Sequence, residues 1–225
     1  MSKLTENAIS QALEFAYEKA VNGVAVADSA AVLARPYIEA HPGDKRKQAD
    51  ALIKKEILKG ASSGFITGFG GLVTLAVTIP ANIVSVLFIQ VRMIVAIAII
   101  GGYDPKDEKI KSLVFSCLVG NSIREVLKSA GIEVGKKIAI KQLLASITGG
   151  TIVRINRSIA LKMVPKLATG AFKWIPIVSG VIGGAMDAVW VNDVGTTAKL
   201  VFIESDNIAD GDDTVKSDDV AGTME

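Results

Sequence analysis

Histidine and cysteine are all but missing from this chain. Its 225 residues hold one of each, His41 and Cys117. A disulfide within the chain is therefore impossible, and neither a Cys/His metal cage nor a histidine-based catalytic triad can be assembled. His41 falls in a turn beside Pro42 and reads as a loop residue rather than a base. No run of alternating apolar and polar residues is long enough for a sheet, so the fold is expected to be all-α. An uninterrupted apolar leader is also lacking, because Glu6, Glu14 and Glu18 fall where one would lie. The expected location is the cytoplasm or the cytoplasmic face of a membrane.

Charge is nearly absent from one long stretch. Between Gly60 and Pro105, Arg92 is the only charged residue before Asp104. Apolar side chains outnumber polar ones on every helical face there, so a helix in this stretch is buried all round, in protein or in lipid. Pro80 divides it into arms from Phe65 to Ile79 and from Ala81 to Ile100, roughly 22 and 30 Å long as helices. Only the second matches a hydrocarbon core of about 30 Å. Arg92 lies just past its middle, where a charge costs about 2.5 to 3.5 kcal/mol against about 0.3 to 0.6 gained per strong apolar residue. With Asn82, Ser85 and Gln90 also present, the sum lies near balance. Lysines flank both ends, which favours a hairpin with both ends on the cytoplasmic side if the stretch enters lipid.

A second apolar hairpin is expected over Ala171 to Phe202, interrupted at Pro176, with Asp187 as its central acid and Trp174 and Trp190 as candidate interface residues. Gly60, Gly64 and Gly68 form a small-residue spine, as do Gly180, Gly184 and Ala188, and the two faces are expected to meet. Asn82, Gln90, Arg92 and Asp187 are the buried polar candidates, and Arg92 is expected to pair with Asp187 because a buried guanidinium must keep acceptors.

The remaining pattern fills in around these hairpins. An amphipathic first helix, capped by Thr5, carries Ile9, Ala12, Leu13, Ala16, Tyr17, Ala20 and Val24 on one face. A break follows at Arg35 and Pro36 and through His41, Pro42 and Gly43. Asp44 then caps a helix with Ala49, Leu52, Ile53, Ile57 and Leu58 inward. Gly101 and Gly102 end the long arm, and Asp104 is read as the next cap, with Pro105 at the first helical position. Residues 1–43 thus read as an N-terminal helix and linker, 44–203 as a helical domain and 204–225 as an acidic tail.

Net charge divides the same way. The tail from Glu204 to Glu225 holds eight acids and one lysine, leaving an excess of nine positive charges on the rest. Its composition cannot bury enough surface to offset ordering entropy, so disorder is expected; its acids lack the spacing of a calcium loop. Arg124 to Lys166 carries nine basic residues, Arg124, Lys128, Lys136, Lys137, Lys141, Arg154, Arg157, Lys162 and Lys166, against Glu125 and Glu133. Anionic membrane lipid is the expected partner for such a stretch. Nucleic acid is not, since no zinc finger or stacking aromatic platform accompanies the charge. The segment AGIEVGKK from Ala130 lacks the closing Ser or Thr of a phosphate loop, and no cofactor is expected.

The stretch GFGGLVTLAVTIPANIVSVLFIQVRMIVAIAIIGGYDP, with IPIVSGVIGGAMDAV around Asp187, resembles the EcsC family of bacterial proteins. The likeness covers roughly Ala49 to Phe202. The family takes its name from a protein encoded beside an ABC transporter and offers no established enzymatic activity to carry over. The resemblance implies a helical, membrane-linked protein without a catalytic residue, acting as a scaffold or regulator with a transporter as candidate partner. A soluble helical carrier of a lipid or other apolar ligand is the alternative reading, and an enzyme of unrecognised type the third.

Overall fold

The computed structural model describes residues 6–24, 27–61, 81–133, 139–168 and 182–205, without the side chains of 59–61, 81–83, 165–168 and 182–187. Its organising element is the second arm of the first apolar stretch, a helix from Ala81 to Gly101 that is the fourth of nine α-helices among the described residues. This helix, α4, is described from Ala81, the residue that follows Pro80 in the sequence. It ends as expected at the glycine pair. Gly102 adopts φ +94°, its amide donates to Ile99 O, and the Tyr103 amide donates to Ala98 O, which closes the last turn. The 18-residue window Val84–Gly101 has a mean hydropathy of 2.3 and is 83% buried, and it is buried by other helices of the chain.

Two helices on the N-terminal side supply much of that cover. The first, α1 (Glu6–Asn22), lays the predicted Ile9, Ala12, Leu13, Ala16, Tyr17 and Ala20 against the core together with Ala8, while Val24, expected on the same face, falls beyond its end in a bridge to Ala27. Small side chains let its backbone approach α4 closely. The second, α2 (Ala30–Ala40), occupies the region expected to be a break, and it runs straight through Pro36. Ser29 caps it by accepting from the Val32 amide, and the carbonyl that Pro36 leaves without a donor is that of Val32, on the exposed side where water can serve it. Ala30 and Ala34 face α4. The true stop comes at His41, whose amide donates to Tyr37 O.

Opposite them lie α3 (Lys45–Ala61) and α9 (Ile182–Lys199), which pack on each other. Asp44 caps α3 as expected, accepting from the Lys47 amide at 3.0 Å. The buried stripe of α3 is Gln48, Ala49, Leu52, Ile53 and Glu56. Leu58, expected inward, is 62% exposed, because six residues beyond Leu52 it has turned about 240° round the helix. The closest approach of α9 falls at Gly195, where a Cβ would stand 2.8 Å from Ile53 Cγ1. Of the expected glycine spines, Gly60 lies on α3 and Gly184 and Ala188 on α9, while Gly64, Gly68 and Gly180 lie outside the described residues, as does any meeting of the two faces. A π-helical segment, Leu200–Glu204, continues α9 and returns Phe202 to Tyr103, ring centroids 5.6 Å apart.

The chain between α4 and α9 forms a row of shorter helices. In α5 (Glu108–Cys117) the cap is Asp107, whose carboxylate accepts from the Lys109 amide at 2.8 Å, and not Asp104. Asp104 instead holds a separate turn through Lys106 N, with Pro105 inside it. Gly120, at φ +59°, opens a short 3-10 turn to Ser122; α6 (Ile123–Ser129), α7 (Ile140–Ser146) and α8 (Gly149–Ala168) follow. Thr148 and Thr151 exchange hydrogen bonds across the start of α8. The all-α expectation holds among the described residues, where one isolated bridge between Val24 and Ala27 is the sole extended pairing. Thr5, the arm 65–79, Pro176 and the tail beyond Ser205 lie outside the description.

Candidate functional site

Arg92 is 4% exposed, the least expected place for a guanidinium. Three elements converge on it. Its Nη1 donates to Asp28 O, just before α2, at 3.1 Å, and its Cζ stands 5.6 Å from the Phe88 ring one turn earlier on α4. From α3 comes Glu56, itself 3% exposed, and from α2 comes Tyr37. Burial pushes the guanidinium below its ordinary pKa, while the charges of Glu56, then Asp28, then Tyr37 work against that shift. The Tyr37 phenol is pushed up by burial and by Glu56, and Arg92 draws it back. The arrangement sets one buried cation near the Glu56 carboxylate and the Asp28 carbonyl, with its Nε left without a hydrogen-bond partner among the described residues. It offers no nucleophile, and its chemistry is that of an internal lock.

The other buried polar candidates do not join this cluster among the described residues. Gln90 is buried, but two residues along α4 it stands about 200° round the helix from Arg92, and its Oε1 has no hydrogen-bond partner among the described residues. Asn82 lies in the first turn of α4 and Asp187 in the first turns of α9, and both side chains are outside the description, as is any contact between Arg92 and Asp187. Glu56 is the acid that sequence reasoning missed. Its signal was present: it stands four residues after Leu52 and eight after Gln48, in the buried stripe.

The nine expected lipid-binding residues divide into three groups. Arg157 and Lys162 on α8 reach Glu6 at 3.7 Å and Glu125 at 2.6 Å. The Lys162 ammonium holds the Glu125 carboxyl below the usual carboxylate range by hydrogen bond and charge. Lys128 on α6, Lys141 on α7 and Arg154 on α8 are exposed, and Arg124 is half-buried. Lys136, Lys137 and the Lys166 side chain are outside the description. α6 and α8 pack together, with Ser129 Oγ and Ser158 Oγ 2.9 Å apart.

Two further features complete the inventory. The Cys117 thiol is fully buried, and burial alone pushes its pKa up, which keeps it protonated and unreactive. A groove of ≈ 760 Å³ runs between α1 and the turn before α5; Lys111 crosses it to Glu14 at 2.6 Å and Glu108 at 3.4 Å. The Tyr17 hydroxyl at its wall donates to Pro105 O.

Fold and site together define an all-α bundle built around one apolar helix whose single cation is buried inside the protein. The chain belongs to the EcsC family: the EcsC protein family model matches residues 1–203, which extends the likeness through α1 and α2. It is similar to an uncharacterized protein, YdbA, of Bacillus subtilis strain 168, at 27% identity over 161 residues. That alignment covers 68% of this chain and 55% of the relative, so the chain spans about half the length of the curated relative it matches. No solved structure matches.

Proposed function

We propose that this protein is a non-catalytic helical scaffold or regulator that associates with the anionic cytoplasmic face of a bacterial membrane, with a membrane transporter as candidate protein partner. One observation carries the reading: α8 holds Arg154, Arg157, Lys162 and Lys166 with no acid along its 20 residues, and its arginines point outward. A surface of anionic lipid attracts such residues by about 1 kcal/mol each, fading within a Debye length. The non-catalytic part rests on the sealed Cys117 thiol and on His41, which ends α2 and gives its carbonyl to Gln48 Nε2.

Vesicle flotation at low and high salt tests this directly. Binding that needs anionic lipid and weakens with salt is the expected result. Salt-resistant binding to neutral vesicles would favour insertion instead. Absence of binding, with an apolar molecule retained in native mass spectrometry, would favour the carrier.

A further inference from the structure

Resting on that proposed association, we infer that α8 is the docking element, that it lies flat on an anionic bilayer, and that Val153 and Leu161 enter the acyl boundary while Arg154 and Arg157 take lipid phosphates. Beyond the opening Gly149, the exposed residues described on α8 are Gly150, Val153, Arg154, Arg157 and Leu161, which share an arc of roughly 100°. Val153 is 68% and Leu161 50% exposed, two large apolar side chains on the same ridge as the arginines. They are eight residues apart, roughly 12 Å along the axis, with both arginines between them. The opposite face, Thr151, Ile155, Ile159 and Met163, is buried against the protein. The helix is thus held rigidly with its outer ridge presented.

The chemistry of that ridge selects its occupant. It is convex and carries two separated apolar anchors, which suits a shallow, laterally fluid surface better than a protein partner, whose binding centre would need a contiguous apolar patch. Guanidinium groups form paired hydrogen bonds to phosphate oxygens, and their alkyl stems extend the apolar contact. Glu6 lies 3.7 Å from Arg157, and both side chains are exposed, so water and lipid phosphate compete readily for that arginine. Glu125 stays on the flank with Lys162. In this orientation α4 remains enclosed within the bundle and meets no lipid.

An environment-sensitive fluorophore on Leu161→Cys, with Val32→Cys on α2 as control, tests the orientation, since Cys117 is buried and stays unlabelled in the folded protein. Vesicles of phosphatidylserine with phosphatidylcholine should shift the position-161 emission to the blue, while neutral vesicles and the position-32 probe should produce no shift. Arg154→Glu with Arg157→Glu, both at exposed positions, should lower partition by roughly ten- to hundredfold at unchanged thermal midpoint. If wild-type protein floats while the probe at 161 stays in water, or while the double variant binds undiminished, the docking face is wrong and the membrane association survives. If wild-type protein fails to float, the association itself fails and the docking face with it.

Discussion

Arg92 and Arg154 are the same residue type in helices of similar length, and they meet opposite fates. On α4, where nearly every neighbour is apolar, the arginine is drawn into the interior, where the charges of Glu56 and then Asp28 offset its burial and the Asp28 carbonyl accepts from its Nη1. On α8, where basic residues recur without an acid, the arginine stands in solvent beside exposed valine and leucine. Among the described residues, hydropathy alone ranks α4 as the membrane element. Its burial by six other segments shows that the same composition serves as a protein core. The difference teaches that the helix best able to cross a membrane by composition need not be the one that would meet it, because a core helix and a spanning helix satisfy the same apolar rule.

The largest effect expected on this contrast comes from removing one of the two buried charges. Removing one member of a buried pair strands the other at about 3 to 5 kcal/mol, so Arg92→Leu and Glu56→Leu should each destabilise by that order, and the double variant should recover much of it. Urea unfolding reads both. If recovery came with Asp187→Leu in place of Glu56→Leu, the pairing first expected from the sequence would be the true lock.

A smaller effect separates the two aspartates before α5. Asp107→Ala should lose about 0.5 to 2 kcal/mol with the cap, whereas Asp104→Ala, which removes only a turn contact, should lose less. Equal losses in thermal unfolding would reinstate Asp104 as a cap.

Those two predictions mark where the sequence was legible. The buried stripe of α1, the C-terminal end of α4 and the Asp44 cap follow from periodicity, the glycine pair and a short acceptor, all local signals. What escaped depended on surroundings. Pro36 looked like a breaker, but a helix tolerates it where the orphaned carbonyl faces water. Asp104 and Asp107 are equivalent by residue type, and the turn around Pro105 chose the later one. Glu56 was hidden among the lysines of α3, and only the position of Arg92 on a neighbouring helix explains its burial. The basic segment was legible as charge, but which of its residues stand free required the packing of α6, α1 and α8.

Acid should loosen two contacts at the surface. Asp44 is held below the usual carboxylate range by hydrogen bonds from the Lys47 amide and side chain, and Glu125 by Lys162. Folded pKa values below the unfolded ones mean that the stability they add is complete above the ordinary carboxylate range and is lost as pH falls through the folded values. Both groups are exposed, so the effect is small. Carboxyl NMR titration should show Glu125 returning to an ordinary value in Lys162→Ala, and an unmoved value would deny the contact.

The tail gives a quieter comparison still. Glu204 belongs to the π segment and faces Arg46 at 4.0 Å and Lys199 at 3.9 Å, so a truncation should begin at Asp206. Loss of residues 206–225 should leave helix content unchanged and strengthen vesicle binding, because an acidic segment competes with lipid for a basic body. Unchanged binding would reduce the tail to a solubilising segment.

The contrast between α4 and α8 is tested most directly by hydrogen exchange, followed by mass spectrometry, with and without phosphatidylserine vesicles. The account predicts slower exchange across 149–168 on binding and unchanged exchange across 81–101. Altered protection in 81–101, with 149–168 unaffected, would contradict it.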